Sequence, residues 1–449
     1  MKLSKFLGGV AVVAAVLTLA GCSGGTSSKD SKSGNKTEAD LAKAERVKTG
    51  TLEVYAPKGK NTDYLQESLK IYNKKYKTSL KIKAVDVAPN VPMVQKITPK
   101  LVAGEKMPDL IFLQDSNAGS IFNKFEKNFY SSEDYGFVKK YGSNFYSAKM
   151  NMLANVAPSK KTYGFPNDWG NAAMFYNDKA FKSAGIDMDD IKTWDEFIEA
   201  GKQLKAKTGK NLLFMRDTGE LDLVNYLTEE QGLSMFDKSG NLNLLKPEVK
   251  KAYQIIKKIQ DADLVSYGNS KDYTAIGQKC GAIFAGGWLA SYQANDYPDD
   301  SGDWRIGKVP AISESAKSYS PMSGGSSYYV PKKSNNPTAA LQFISFALTN
   351  QDCLASYMDL SGLPANTKAY DTEASHKKFA YYGDQEILQT LNEISKDSIE
   401  GYAFPYTADL GNYIEAASYD IKKNGTSVDK ALQKQADEFV AKYSIKVNK

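Results

Sequence analysis

Apolar and polar positions along the first third of the chain repeat with two different periods. Residues 52–56 and 80–84 alternate apolar with polar, which predicts two strands. Within 65–76, bulky apolar residues recur every three or four positions, which predicts an amphipathic helix. A second helix is predicted over 93–103, and the short apolar run 109–113 is typical of a strand buried on both faces. The chain therefore alternates strands with helices.

Alternating strands and helices predict an α/β fold with a parallel, doubly wound sheet. Ligands bind such sheets at the carboxyl ends of the strands. Residues 58–61 and 114–116 directly follow two of the predicted strands. We therefore expect these two segments at a ligand-binding edge.

The middle of the chain continues the pattern with sharper boundaries. Thr193 and Glu196 form a capping box, which predicts a helix that begins there and ends at Gly209. Residues 281–287 form a buried apolar strand that ends in a pair of glycines, and Trp288 follows at once. A tryptophan next to glycines can meet a ligand at close range, because glycine lets the backbone approach.

The first 48 residues have a different composition. Lysines precede an apolar run that is too short to span a membrane as a helix, so residues 1–21 are predicted to be a signal peptide. The segment Leu19-Ala20-Gly21-Cys22 resembles a bacterial lipobox, which implies cleavage before Cys22 and a lipid on its thiol. The alternative is an ordinary signal peptide with an incidental cysteine. Residues 22–48 are rich in Ser, Gly and Lys, which predicts a flexible tether.

About 400 residues remain after the tether, which is enough for two lobes with separate cores. The formal charge of +6 comes from lysines spread along the whole chain, and only three residues are arginine. Nucleic-acid binders concentrate basic residues, so we expect no nucleic-acid partner. Cys280 and Cys353 either form a disulfide or stay as buried thiols.

One stretch carries a recognisable order of motifs. Residues 163–166 read Tyr-Gly-Phe-Pro, and 171–181 form an apolar strand with a Tyr-Asn-Asp-Lys turn before the capped helix. Further on, Gly-Leu-Pro-Ala stands at 362–365. This ordered set resembles the extracellular solute-binding proteins of ATP-driven carbohydrate importers, the maltose-binding-like group, over most of 51–440.

The resemblance implies a two-lobed periplasmic-binding-protein-like (type II) fold, with a helix-flanked sheet in each lobe and hinge crossings near Asn171, Ser326 and Gly362. Lobe one is expected to contain residues 49–171 and 327–362, and lobe two residues 172–326 and 363–449. The implied protein is a monomer on the outer face of the cell membrane, held there only through its lipid anchor. It would deliver a di- or oligosaccharide to an importer permease, with no cofactor and no metal.

A sugar has apolar ring faces, which aromatic rings cover, and a hydroxyl rim, which charged and amide groups bind. The resemblance and this chemistry together predict seven ligand-binding residues: Lys60, Asp115, Asp168, Trp169, Arg216, Trp288 and Tyr406. Packing or capping is the alternative role for the two tryptophans and the arginine. Tyr406 represents the aromatic segment 402–406.

Enzymatic motifs are scarce in the chain. His376, the sole histidine, lies in a polar stretch and is expected at the surface, so a histidine-based nucleophilic mechanism is disfavoured. A glycosidase needs only two carboxylates, and the sequence leaves that class open. We expect a binding protein with no catalytic residue. Its solute could instead be a peptide or a polyol, and a surface adhesin with the same fold also stays open.

Overall fold

The computed structural model describes residues 37–217, 220–269, 273–402 and 404–449, with the side chain of residue 273 outside the description. The predicted signal peptide, Cys22 and the tether up to residue 36 lie outside the described residues. Within the described ranges, no helix combines the length and the apolar character needed to cross a membrane.

Among the described residues, ten strands form two five-stranded sheets. The strands are β1 (Thr49–Ala56), β2 (Ser79–Asp86), β3 (Leu110–Gln114), β4 (Phe165–Asp168), β5 (Ala172–Asn177), β6 (Leu213–Arg216), β7 (Val265–Gly268), β8 (Ala282–Gly286), β9 (Trp304–Gly307) and β10 (Ser326–Tyr329). The order is β2-β1-β3-β10-β4 in the first sheet and β7-β6-β8-β5-β9 in the second. Two separate sheets confirm the predicted two-lobed α/β class.

The parallel arrangement predicted from alternating strands and helices holds for only three strands of each sheet. In the first sheet β1 runs parallel to β2 and β3, but β10 runs antiparallel to β3 and β4. In the second sheet β6 runs parallel to β7 and β8, but β5 runs antiparallel to β8 and β9. Both β5 and β10 directly follow a crossing from the other sheet. Each enters its new sheet from the cleft side, which reverses its direction.

Helices surround both sheets. They are α1 (Glu38–Lys43), α2 (Lys60–Tyr76), α3 (Val91–Ala103), α4 (Asp115–Phe125), α5 (Phe137–Tyr141), α6 (Ser147–Asn155), α7 (Asp178–Ser183), α8 (Trp194–Thr208), α9 (Leu221–Glu230), α10 (Pro247–Asp261), α11 (Tyr273–Gly277), α12 (Leu289–Asp296), α13 (Pro337–Ala347), α14 (Gln351–Asp359), α15 (Ile387–Lys396), α16 (Thr407–Asn424) and α17 (Val428–Tyr443). Helix α8 has the predicted capping box at Thr193 and ends at Gly209, which adopts the left-handed conformation.

The end of the chain packs against both lobes. Helices α16 and α17 bury Leu410, Ile414 and Phe439 in the core of the second sheet. Helix α15 contacts β9 of the second sheet. It is also tied to α6 of the first lobe, where the Tyr146 hydroxyl donates to Asn392 Oδ1 at 2.6 Å. The segment between Gly362 and α16 therefore bridges the two lobes.

The folded part of the chain begins before residue 48, the predicted end of the tether. Thr37 caps α1 with a complete capping box, and Leu41 of this helix is buried. The Gln342 side chain of α13 donates to the carbonyl oxygens of Ala44 and Glu45, each at 3.2 Å. The folded part therefore includes residue 37, because the few apolar residues of this stretch are enough to dock it on α13.

Candidate functional site

Polar side chains gather at the carboxyl edge of the first sheet, where the strand rule placed them. Lys60 and Asn61 open α2 directly after β1, Asp168 ends β4, and Tyr357 reaches the edge from α14. Asp168 Oδ1 accepts the Ser326 N–H at 2.6 Å, and Asp168 Oδ2 accepts the Tyr357 hydroxyl at 3.0 Å. We call Lys60, Asn61, Asp168 and Tyr357 the lobe-one wall.

The charges in this wall balance one another. The Lys60 ammonium lies 5.9 Å from the centre of the Tyr357 ring. Burial lowers the pKa of Lys60, and the nearby Asp168 carboxylate opposes that shift. The Tyr357 hydroxyl also lies 3.5 Å from Asn61 Oδ1. A hydroxyl-bearing ligand would meet a donor and several acceptors whose positions are already fixed.

Asp115 lies beneath this wall rather than on it. It is 1% exposed and forms an ion pair with Lys149 of α6, whose side chain is fully buried. Asp115 Oδ1 accepts the Ser327 hydroxyl at 2.8 Å, and Lys149 Nζ donates to the Ser326 carbonyl at 3.0 Å. Burial raises the pKa of Asp115, and the Lys149 charge opposes this. In this conformation Asp115 links α6 to β10 through these contacts, and its side chain is too buried to contact a sugar.

The crossings run side by side between the sheets. In the second crossing, Ser323 N–H donates to the Gly170 carbonyl of the first at 2.8 Å. Trp169 N–H donates to the Leu363 carbonyl at 3.3 Å, which adds the third crossing. Gly324 and Gly325 have φ angles of 108° and 104°, a region that side chains disfavour. The predicted crossing regions near Asn171, Ser326 and Gly362 therefore form one hinge bundle.

Helix α9 clamps the second crossing from the lobe-two side. Glu229 Oε2 accepts the Met322 N–H at 2.7 Å, and the Tyr226 hydroxyl lies 2.6 Å from Ser323 Oγ. Burial raises the pKa of Glu229 to about 7, and the bond from Met322 opposes this. Helix α9 therefore holds the second crossing from lobe two, while Asp168 holds its end from lobe one through the Ser326 N–H.

Lobe two presents aromatic rings beside the same hinge. A Cβ on Gly286 would lie 2.2 Å from the Ser323 carbonyl, so the end of β8 is pressed against the second crossing. Trp288 follows and is 39% exposed, while Tyr292, one turn later on α12, is 54% exposed. Their ring centres are 6.1 Å apart. We call Trp288 and Tyr292 the aromatic pair.

A separate cleft in lobe two lies between α9 and the strands β6 and β8. Arg216, Glu220, Tyr226 and Phe284 are among its lining residues. Arg216 Nη1 pairs with Glu415 Oε1 at 2.9 Å. Glu220 is 8% exposed, and its Oε1 has no hydrogen-bond partner among the described residues. Burial raises the pKa of Glu220 to about 8, against the opposing charges of Arg216 and Lys422.

The other aromatic site predictions need correction. Trp169 is 1% exposed, and its indole Nε1 donates to Ser398 Oγ at 3.2 Å, so it packs within the hinge bundle. Tyr406 stacks on Phe404 at 5.5 Å and donates its hydroxyl to the Gly240 carbonyl at 2.8 Å. Both rings are used for packing and neither lies free to stack on a ligand.

Several site residues escaped the sequence analysis. Tyr357 completes the lobe-one wall, and Glu220, Tyr226 and Tyr292 belong to lobe two, whereas Asn61 lies in the segment 58–61 that the strand rule placed at the ligand edge. Tyr292 had a usable signal, because residues four apart share one face of a helix. Tyr357 had none, since α14 reaches the wall from a distant part of the sequence.

The histidine and the two cysteines beyond the predicted lipidation site are also candidate reactive groups in the sequence, and the structure gives the position of each. His376 is exposed and contacts Glu386 at 2.8 Å, which confirms its predicted surface position. Cys280 and Cys353 are both free and buried, so the disulfide alternative is excluded. The part of the chain that is described contains no group of three potential metal ligands.

The fold agrees with comparisons to known proteins. The family model of the bacterial extracellular solute-binding proteins matches residues 67–382, so the chain belongs to that family. The lactose-binding protein of Rhizobium radiobacter is 24% identical over 390 residues, which cover 84% of this chain and 89% of that protein. The arabinooligosaccharide-binding protein of Bacillus subtilis (strain 168) is 27% identical over 346 residues, covering 75% and 74% respectively.

A solved structure supports the same fold. The transporter-associated binding protein of Bifidobacterium animalis subsp. lactis Bl-04, in complex with β-1,6-galactobiose, superposes with a TM-score of 0.70. The two chains are 21% identical, and the match covers 89% of this chain and 99% of that one. The family expected from the ordered motifs is therefore confirmed, as is its two-lobed architecture.

Proposed function

We propose that the protein captures a di- or oligosaccharide between its two lobes and delivers it to the permease of an ATP-driven importer. The exposed aromatic pair beside the hinge carries this proposal. A sugar ring stacks its C–H face on such rings, while the lobe-one wall binds its hydroxyl rim. The names of the relatives, which bind lactose and arabinooligosaccharides, support this ligand class.

The two walls meet at neighbouring residues of one crossing. A Cβ on Gly324 would lie 3.5 Å from Trp288 Cδ1, and a Cβ on Gly325 would lie 3.6 Å from the Asp168 carbonyl. A ligand seated at this crossing therefore reaches both lobes. Closure of the lobes around it would create the surface that the permease reads.

Calorimetry over a panel of sugars tests the ligand class. The panel contains lactose, arabinooligosaccharides and β-1,6-galactobiose, with glycerol 3-phosphate and a short peptide as non-sugar solutes. We expect saturable binding of at least one sugar. Binding of only a non-sugar solute would contradict the proposal.

We also propose that the protein breaks no bond in its ligand. The described site offers a wall of partnered polar groups, and Asp168 has both carboxylate oxygens hydrogen-bonded. A bound oligosaccharide should therefore be recovered intact after prolonged incubation. Chromatographic detection of released monosaccharide would overturn this part.

The membrane anchor is a separate proposal. We infer from the lipobox-like sequence that the chain is cleaved before Cys22 and that Cys22 is diacylated. Cys22→Ala should release the protein from membranes or leave it unprocessed. Normal processing together with unchanged membrane retention of this variant would contradict the anchor. We further propose that the anchored protein is a monomer.

A further inference from the structure

A shallow depression of about 170 Å³ on the first lobe is lined by four lysines. They are Lys100, Lys127, Lys332 and Lys333, and we call them the lysine patch. They come from three separate segments of the sequence, so the patch cannot be recognised as a run of basic residues. The depression brings them together with the carboxylate of Glu105.

The lysine patch faces away from the ligand site. Because β10 runs antiparallel to β3, the residues after β10 lie beside those before β3, and Met107 N–H donates to the Lys333 carbonyl at 3.2 Å. This is the amino edge of the parallel strands. The lobe-one wall lies at the opposite edge, where Ser326 is paired with Gln114.

Local partners account for only part of this charge. Lys100 lies 3.3 Å from Glu105, and Lys332 lies 3.3 Å from Glu38. The dipole of α3 favours a cation at Lys100, in its last turn, but not at Lys332 and Lys333, which lie in the loop after β10. Two carboxylates among four ammonium groups leave a net positive surface.

The lysine patch also lies beside α1, the first helix of the described part of the chain. Glu38, the contact of Lys332, is the first residue of α1. Fourteen residues, 23–36, separate Cys22 from Thr37, and an extended chain of that length reaches at most about 50 Å. Residues 23–36 contain three lysines and one aspartate.

We propose that the lysine patch docks on anionic phospholipid headgroups of the membrane that carries the chain, and thereby turns the sugar-binding cleft outwards. The inference rests on the proposed anchor at Cys22. A lysine near an anionic membrane favours the bound state by roughly fivefold, and the attraction decays within a Debye length. The patch therefore orients a protein that the lipid already holds close, and delivery to the permease requires its release.

Fluorescence quenching on vesicles tests this orientation. The full-length acylated protein with Val102→Cys takes a fluorophore at a position that is 71% exposed and two residues from Lys100, while Cys280 and Cys353 are buried. Quenchers sit on the lipid headgroups of vesicles made with phosphatidylcholine alone or mixed with phosphatidylglycerol. We expect at least twofold stronger quenching on the mixed vesicles. The difference should vanish in about 1 M salt, where the Debye length is about 3 Å.

Two fourfold variants provide the contrast. Lys→Gln at all four patch positions should abolish the extra quenching. Lys→Gln at Lys202, Lys250, Lys257 and Lys258, four partly exposed lysines of lobe two, should preserve it. Equal quenching on both vesicle types, or equal loss in both variants, would overturn the docking proposal.

The same preparation separates this proposal from those it depends on. Flotation with pure phosphatidylcholine vesicles reports the lipid anchor alone, and sugar titration of the floated protein reports the ligand site. If the protein does not float, or if it binds no sugar, the stronger quenching on vesicles with phosphatidylglycerol still reports on the lysine patch separately. A fluorescence change with soluble glycerol phosphate in the absence of vesicles would reassign the patch to a soluble phosphate ester and overturn the membrane proposal.

Discussion

The two lobes have the same sheet topology and opposite wall chemistry. Each sheet has three parallel strands, then the strand that enters from the other lobe, then an edge strand. On the lobe-one side the polar groups are already partnered, as the two bonds to Asp168 show. On the lobe-two side Trp288 and Tyr292 are exposed, and Glu220 keeps an unpartnered buried oxygen among the described residues. One fold thus provides a fixed polar wall and an open aromatic wall.

This difference assigns a different task to each lobe. A preorganised polar wall holds hydroxyl groups in place without first having to rearrange, which reduces the free-energy cost of binding. Exposed rings gain their free energy when a ligand covers them. We therefore expect changes in lobe one to act on both stability and affinity, and changes to the aromatic pair to act on affinity alone.

The largest effect is expected at the buried pair beneath the lobe-one wall. Lys149→Met leaves the Asp115 carboxylate buried without its counter-charge, and the free energy of unfolding should fall by about 3–5 kcal/mol. Urea denaturation measures it. Lys149→Met combined with Asp115→Leu should recover most of the loss, because an apolar pair carries no desolvation penalty. If the free energy of unfolding of Lys149→Met lies within about 1 kcal/mol of the parent value, the ion pair does not stabilise the contact between α6 and β10.

The next effect concerns the aromatic pair. Trp288→Ala removes a partly exposed stacking ring, so sugar affinity should fall by roughly tenfold to a hundredfold. The stability of the fold should hardly change. Tyr419→Ala, a matched control at a ring that is 49% exposed on α16, should leave the affinity unaltered. If the Trp288 variant is instead unfolded, the ring is part of the core and the contrast between the walls fails.

The pH dependence of stability should come from lobe two. The pKa of Glu220 is about 8 in the folded protein, so between about pH 4.5 and 8 the unfolded chain gives up a proton that the folded protein keeps. Stability therefore falls as the pH rises through this window. Glu220→Gln should remove on the order of 1–2 kcal/mol of that fall. Urea denaturation at pH 5 and pH 8.5 gives the free energy of unfolding of both proteins at each pH. If this free energy changes equally with pH in the parent protein and in the variant, the raised pKa of Glu220 is contradicted.

The smallest effect is expected from a single hydroxyl. Tyr357→Phe removes the donor to Asp168 Oδ2 and keeps the ring, so affinity should fall by about 1 kcal/mol. Fluorescence titration of a binding sugar measures it. An unchanged affinity together with lower stability would mean that the bond to Asp168 serves the fold and not the ligand.

Local patterns predicted the parts of the fold that depend on neighbouring residues. The capping box of α8, the end of that helix at Gly209, and the buried strand before Trp288 all follow from short stretches of sequence. The direction of β5 and β10 did not, because it depends on which lobe the chain has just left. Ordered motifs predicted the family, since their succession reflects the path of the chain between lobes.

The predicted residues that lie at the walls are those at or near the end of a strand. Asp168 ends β4, while Lys60 and Trp288 lie within four residues of the ends of β1 and β8, and all three lie at the walls defined above. Burial separates Asp115 and Trp169 from that surface, and the sequence around these two residues did not reveal that they would be buried. The lysine patch consists of distant segments that meet only after folding, so a composition of evenly spread lysines concealed it.

Calorimetric titration of one binding oligosaccharide into four proteins tests the central claim most directly. The proteins are the parent, Trp288→Ala, Tyr357→Phe and the double variant. If the sugar lies between the two walls, each single change weakens binding and the double variant is the weakest, while all four proteins remain folded. If either single substitution leaves the affinity for the sugar unchanged, the sugar does not bind between the two walls and the account is contradicted.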